Sequence, residues 1–297
     1  MRFSSNVRGS ESTMIYRIAA VSFLNTLPLI ERFLDGRDPR VALTRALPSA
    51  LTAELTCGRA DVALLPVAEI LRGKSGGLLA PGAGIACRGN VDSVKLFTNG
   101  EPAGLRRVRT DRGSRSSVAL LQVLLAERWR CRPALIETEP VPGRLPEPGE
   151  GVLVIGDRCF AYERAFREAA PAGGRAIDLG GAWLELTGLP FVFAAWAVAP
   201  DFVARAGAAG CRELAALLDE ARADGRARCR EIAAREAAQG RLGPGGEATA
   251  AAIAYYFERS LHFRLEDDDL AGIARFRELS IQHGVLPPGT PPLTLVR

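Results

Sequence analysis

The stretch AAVSFLNTLPLI, Ala19 to Ile30, decides the fold. Ile18 to Val21 is a short apolar run, as in a strand buried on both faces. It breaks at Ser22. Asn25, Thr26 and Pro28 then lead into Leu29-Ile30-x-x-Phe33-Leu34, whose spacing is helical. A strand that turns straight into a helix is the unit of an α/β sheet. In such sheets ligands bind beyond the carboxyl ends of the strands, where helix N-termini present free N–H groups. Small polar residues at that point have two readings. Asn25 or Thr26 caps the helix with Pro28 in its first turn, or these side chains hold a ligand.

The same unit recurs downstream. Val41 to Leu43 reads as a strand, and Pro48-Ser49 opens a helix with Ser49 as N-cap, Leu51 and Leu55 inward and Gly58 as its stop. Asp61 to Val67 is a continuous apolar strand, with a helix starting at Ala68. Val91 to Phe97 alternates like a strand. A second block begins with a strand over Leu105 to Thr110 and the polar turn DRGSRSS, Asp111 to Ser117. Val118, Leu121, Leu125 and Trp129 follow at helical spacing. Four prolines make 137–151 a loop, Val152 to Ile155 is a buried strand closing on Gly156-Asp157, and Pro190 to Val198 is a strong apolar strand. Helical patterns fill the rest, over about 211–223, 226–239, 246–262 and 267–283.

This order predicts an α/β fold with largely parallel sheets in two lobes. The late helices cannot bury their faces alone, so they return to the first block. Lobe 1 is then 14–97 plus 196–297, and lobe 2 is 98–195, with crossings near 97 and 196 and a ligand cleft between the lobes. Residues 1–13 read as a disordered tail.

The 297 residues are 47% hydrophobic and 24% charged, the balance of an ordinary soluble globular protein. The net charge is +4, but the arginines are dispersed among Glu and Asp, which argues against a nucleic-acid partner. No apolar run approaches the ~20 residues of a membrane span, and the polar start MRFSSNVRGSESTM lacks a signal-peptide core. The expected setting is cytoplasmic, with no membrane partner. Six cysteines form no C-x-x-C pair, and the two histidines, His262 and His283, fall in late helical patterns. Neither a metal site nor a His-based nucleophile system is expected. A monomer or a homodimer is expected.

Three polar turns follow predicted strands and open onto the cleft: Ser22 to Thr26, Asp111 to Ser117, and Gly156-Asp157. In the second, Gly113 allows a tight bend, and Ser114 and Ser116 offer hydroxyls or N-caps. The following helix start favours an anion, and Arg115 adds a bidentate clamp for a carboxylate. The bland alternative is a solvated cap with an exposed arginine. Asp157 either orients a ligand hydroxyl or caps the next helix. Ser93 is either a ligand contact or a sheet side chain. The residues alone thus point to a small carboxylate bound between two lobes.

Six segments in order, VSFLNTLPLI, GRADVALLPVAEI, GNVDSVKL, DRGSRSSVALLQVLL, VLVIGD and DLGGAWLELTGLPFVFAAWA, resemble the menaquinone-biosynthesis chorismate dehydratases of the futalosine pathway. The resemblance spans about Ile18 to Val285. It implies a type II periplasmic-binding-protein-like fold. It also implies conversion of chorismate to 3-[(1-carboxyvinyl)oxy]benzoate and water, with aromatisation as driving force and no cofactor. The matched motifs hold no strong base, so the substrate's own enolpyruvyl carboxylate is expected to take the proton. By this resemblance Asn25 and Ser93 contact the reacting part of the substrate. Ser114, Arg115, Ser116 and Ser117 form a carboxylate-binding turn, and Ser22, Thr26, Gly156 and Asp157 line the site. The sister 1,4-dihydroxy-6-naphthoate synthases carry Cys-Pro-Asn-Asp where this chain has Ser22-Phe23-Leu24-Asn25. Two alternatives stand beside the dehydratase: that synthase, and a non-catalytic cytosolic carboxylate-binding protein. A ligand-sensing regulator is disfavoured, because no DNA-binding segment is recognisable.

Overall fold

A computed structural model describes residues 14–296, apart from 47, 74, 112, 170, 171, 244 and 245. The expected tail at 1–13 and the side chain of Ser49 lie outside the described residues. Two sheets organise the chain. The first half of lobe 1 runs β1 (Tyr16–Ala20), α1 (Leu27–Ile30), β2 (Val41–Arg45), α2 (Pro48–Thr56), β3 (Val62–Pro66), α3 (Val67–Leu71) and β4 (Leu78–Cys87). The chain then crosses into β5 (Val94–Asn99), β6 (Arg107–Asp111), α4 (Ser116–Glu127), β7 (Ala134–Thr138), β8 (Glu150–Ile155), α5 (Arg158–Ala169), β9 (Gly174–Asp178) and α6 (Leu179–Thr187). It returns through β10 (Phe191–Val198) to α7 (Pro200–Ala227), α8 (Cys229–Ala238), α9 (Gly246–Tyr255), β11 (His262–Arg264), α10 (Asp267–Gln282) and β12 (Thr294–Leu295).

The lobe 1 sheet has the order β11-β4-β10-β3-β1-β2, with β12 beside β4, and the lobe 2 sheet has the order β7-β6-β8-β5-β9. The expectation of largely parallel sheets needs correction. β1 pairs in parallel with β2 and β3, and β6 with β7 and β8. β5 runs antiparallel to β8 and β9, and β10 antiparallel to β3 and β4. The reason is topological. β5 and β10 enter their sheets from the other lobe, not through a crossover helix on the same sheet, so they run against their neighbours. Because β5 belongs wholly to the second sheet and β10 wholly to the first, the chain crosses before 94 and before 191, ahead of 97 and 196.

Apolar composition fixes this arrangement. Val62, Ala63, Leu64 and Leu65 of β3 are buried on both faces, as are Ala195 to Val198 of β10. α7 approaches α1 so closely that a Cβ at Gly225 would lie 1.9 Å from the carbonyl oxygen of Pro28. Only glycine allows that contact, which seats the opening turn against the helical segment. None of the helices among the described residues is long and apolar enough to cross a membrane.

Helix α6 holds both connectors. The Asp178 carboxylate caps α6 through the amides of Gly180 and Gly181, and also accepts from the amides of Val91 and Asp92 at 2.9 and 2.8 Å. Trp183, one turn on, donates from Nε1 to the carbonyl of Pro190 at 3.1 Å. Asp92 has a left-handed backbone, φ 62°, in the first connector. That strain is sustained by the bonds around it.

Candidate active site

A cleft of about 690 Å³, counted to its open mouth, lies between the sheets. Its walls are the ends of β1, β3, β6 and β8, the first connector, and Phe193 and Ala194 of β10. Of the residues singled out from sequence, Asn25, Ser93, Ser114, Arg115, Ser116, Ser117 and Gly156 all line it. Val21, Phe23, Leu64, Ile85, Val91 and Phe193 are among the apolar residues of its wall.

The opening turn resolves its two readings. Thr26 is the N-cap residue of α1 by backbone, but neither Thr26 nor Asn25 makes a side-chain cap bond. The Asn25 Oδ1 atom receives only a long 3.4 Å contact from Thr26 Oγ1. Asn25 lines the cleft, and its side chain also faces the Tyr256 phenol. Thr26 is fully buried and Ser22 is exposed, its Oγ accepting from Arg45, so neither is among the lining residues.

Asp157 is not among the residues lining the cleft. Its carboxylate reaches across the lobes, accepting from the Leu24 amide at 3.2 Å and from Arg241 Nε at 2.7 Å. Arg241 also donates to the carbonyl of Ser22. The group is a strut for the turn that carries Asn25. Burial pushes its pKa up, and Arg241 opposes that shift.

The DRGSRSS turn divides its labour. Asp111 Oδ1 accepts from the Gly113 amide, and its carbonyl accepts from Ser114, which closes the bend into α4. α4 begins at Ser116 with no side-chain cap from Arg115. Its first-turn amides therefore face the cleft without intrahelical acceptors, the arrangement that favours an anion. Ser114 Oγ is buried and has no hydrogen-bond partner among the described residues. A buried hydroxyl in that state is stabilised only when something in the cleft bonds to it. Arg115 is exposed and makes no ion pair among the described residues, while lining the cleft.

Ser116 is different. Its hydroxyl donates to the carbonyl of Phe193 at 2.9 Å and accepts from the Ala68 amide at 3.2 Å. Phe193 sits at an irregularity in the β10–β4 register, where a carbonyl is turned out of the ladder. α3 has no side-chain cap of its own. Ser116 thus satisfies a bulged carbonyl and caps a helix, both in the opposite lobe, and its hydroxyl is committed to the protein.

Sequence reasoning missed Tyr256. Its hydroxyl donates to Ser93 Oγ at 2.7 Å, with both groups buried. Burial pushes the phenol well above its ordinary pKa, so it stays protonated. Nothing in the run AAIAYYFERS marks one tyrosine over its neighbour; only the tertiary contact does. The histidines are not among the residues lining the cleft: His262 pairs with Asp269 and His283 with Glu127.

Comparison with known proteins follows this geometry. The family described as menaquinone biosynthesis matches residues 16–281. This chain belongs to that family. It is 30% identical over 278 residues to a chorismate dehydratase of Thermus thermophilus, covering 89% of this chain and 94% of that protein. Among solved structures, it resembles the periplasmic aliphatic sulphonate-binding protein of Escherichia coli, with TM-score 0.58, 17% identity, and coverage of 93% of this chain and 89% of that one. A Candida albicans protein with the generic periplasmic-binding-protein fold matches with TM-score 0.57 and 11% identity, over 93% and 92% of the two chains. These two likenesses establish the fold, in agreement with the two-lobed arrangement expected from sequence.

Proposed function

We propose that this menaquinone-biosynthesis protein is a chorismate dehydratase, a carbon–oxygen lyase of the futalosine route that yields 3-[(1-carboxyvinyl)oxy]benzoate and water. We assign it to the cytoplasm, as a monomer or homodimer. The observation that carries the reading is the pairing inside one cleft of an anion-binding turn with a neutral amide–hydroxyl pair. Chorismate carries two carboxylates and a ring hydroxyl. One carboxylate lies on the first-turn amides of α4 and on the unpartnered Ser114 Oγ, with Arg115 at the mouth. The hydroxyl lies toward Asn25 and Ser93.

No carboxylate or imidazole is among the described lining residues. The base is therefore assigned to the enolpyruvyl carboxylate of the substrate. It takes the proton from the ring carbon bearing the ether. The C–H electron pair becomes a ring double bond as the C–O bond to the hydroxyl breaks. Hydroxide and the abstracted proton leave together as water, and the ring becomes aromatic. Asn25 and Ser93 donate hydrogen bonds to the departing oxygen. Holding the two substrate groups in near-attack geometry contributes on the order of 7–11 kcal/mol.

The test is incubation of the purified protein with chorismate alone, with products followed by liquid chromatography and mass detection. Loss of one water to an aromatic enolpyruvyl benzoate, greatly slowed in Asn25→Ala, is the expected result. Chorismate recovered unchanged beyond its spontaneous decay overturns the reading and makes a cyclic futalosine derivative the next substrate to test.

A further inference from the structure

The turn that follows α9 grips the first connector at two consecutive residues. Residues Tyr256–Ser260 form a single wide turn of π type, with the Leu261 amide bonded back to the Tyr256 carbonyl. Such turns interrupt a helix at a cost and recur at functional sites. Tyr256 reaches Ser93, and Ser260 Oγ donates to Asp92 Oδ2 at 2.6 Å. Asp92 holds its left-handed backbone between this contact and the Asp178 carboxylate, which accepts from its amide. The Ser93 amide is bonded to the Val91 carbonyl in a tight local turn. The backbone at Ser93 is thus fixed from both sides.

The hydroxyl of Ser93 is fixed separately. A serine hydroxyl rotates freely unless a partner selects one position. Tyr256 is 2% exposed, is packed edge-on against Phe160 with ring centroids 5.3 Å apart, and sets its phenol beside the Ser93 hydroxyl with the Asn25 side chain also facing it. Once Ser93 Oγ accepts from Tyr256, its own hydrogen has no acceptor among the described residues. The remaining direction is the cleft that Ser93 lines.

We propose that Tyr256 is a positioning residue: by donating to Ser93 Oγ, it turns the Ser93 hydroxyl hydrogen into the cleft, toward the departing hydroxyl of the substrate. The proposal rests on the dehydratase reading. Tyr256 is not among the residues lining the cleft; it acts through Ser93.

The test compares wild type, Tyr256→Phe, Ser93→Ala, the double variant and Ser260→Ala on chorismate. Tyr256→Phe keeps the ring and its packing and removes only the donor. The expected result is a loss of about tenfold in kcat, the size of one net hydrogen bond, with KM within about twofold. The double variant should be no slower than Ser93→Ala alone. Ser260→Ala removes the contact to Asp92, whose backbone the Asp178 carboxylate still holds, and should leave kcat near wild type. Equal kcat in Tyr256→Phe and wild type overturns the proposal. So do losses that multiply in the double variant, or a loss in Ser260→Ala equal to that in Tyr256→Phe, which would assign the effect to connector stiffness. A wild type inert toward chorismate refutes the dehydratase reading itself, a result distinct from all of these.

Discussion

Replacing Ser116 with alanine removes one oxygen and strands two buried backbone groups, whereas the same change at Ser114 removes an oxygen that no group among the described residues uses. The contrast is quantitative. Ser116 Oγ serves the Phe193 carbonyl and the Ala68 amide. A buried group left unsatisfied costs roughly 1–3 kcal/mol, so two partly relaxed groups lose about 3 kcal/mol. At about 2–4 °C per kcal/mol in a chain of this size, Tm falls by about 6–12 °C. Ser114 is 5% exposed, and its Oγ is already without a partner among the described residues. Its removal leaves Tm unchanged or raises it by about 1–2 °C. In binding the order reverses. A hydrogen bond to a charged carboxylate contributes about 1.5–3 kcal/mol, so Ser114→Ala weakens chorismate binding by roughly 10- to 100-fold. The assay is a thermal melt and a chorismate titration on both variants. A Ser114→Ala protein that melts early and binds normally, or a Ser116→Ala protein with unchanged Tm, refutes the division of roles.

Three further outcomes are expected. Asp157→Ala frees both the Leu24 amide and Arg241, so the turn carrying Asn25 loses its strut; kcat/KM for chorismate should fall about tenfold, and steady-state kinetics that match wild type would contradict this. Gly225→Ala places a methyl 1.9 Å from the Pro28 carbonyl oxygen and should cost at least about 3 kcal/mol, read as lost soluble yield or a collapsed Tm; a variant as stable as wild type would show that α7 and α1 yield easily. Acid should destabilise the fold. Burial opposes ionisation of Glu31 and Asp61, but is outweighed by Arg235 and Arg37 around the first and by Arg17 and Arg205 around the second, so both pKa values lie below normal. Groups lowered in the folded state contribute fully above their unfolded values, near 4, and lose that contribution as pH falls through the folded ones. Stability by circular dichroism should be flat from pH 7 to about 5 and decline below about 4; a protein that gains stability on acidification would reverse the sign.

The parts of the fold legible in the sequence are those where burial is complete. β3, β8 and β10 are continuous apolar runs because neighbours cover both faces. β7 and β9 escaped the reading because they are the two edges of the lobe 2 sheet, where ALIET and GRAID leave most side chains exposed or half-buried. α5 had the signal, Cys159, Tyr162 and Phe166 on one buried face, but its charged residues diluted it. Strand direction was not legible, since the same apolar run serves a parallel or an antiparallel ladder. In the cleft, the turns after strands were legible because ligand-facing turns and capping turns use the same residues. That shared vocabulary also hides the second task of Ser116 and Asp157, whose polar atoms bond to the opposite lobe. Tyr256 left no trace because its role arises only where α9 meets the first connector.

The clasp of both connectors by α6 changes the thermodynamics of encounter. A pair of lobes on slack hinges samples many relative orientations, and each ligand must select one of them, which lowers apparent affinity by the fraction that is competent. Here the carboxylate that caps α6 and an indole within it, five residues apart, tie the two crossings to one element. The ordering of those two crossings is completed when the chain folds. The interaction energy of a small polar substrate is then available for its own alignment rather than for drawing two bodies together.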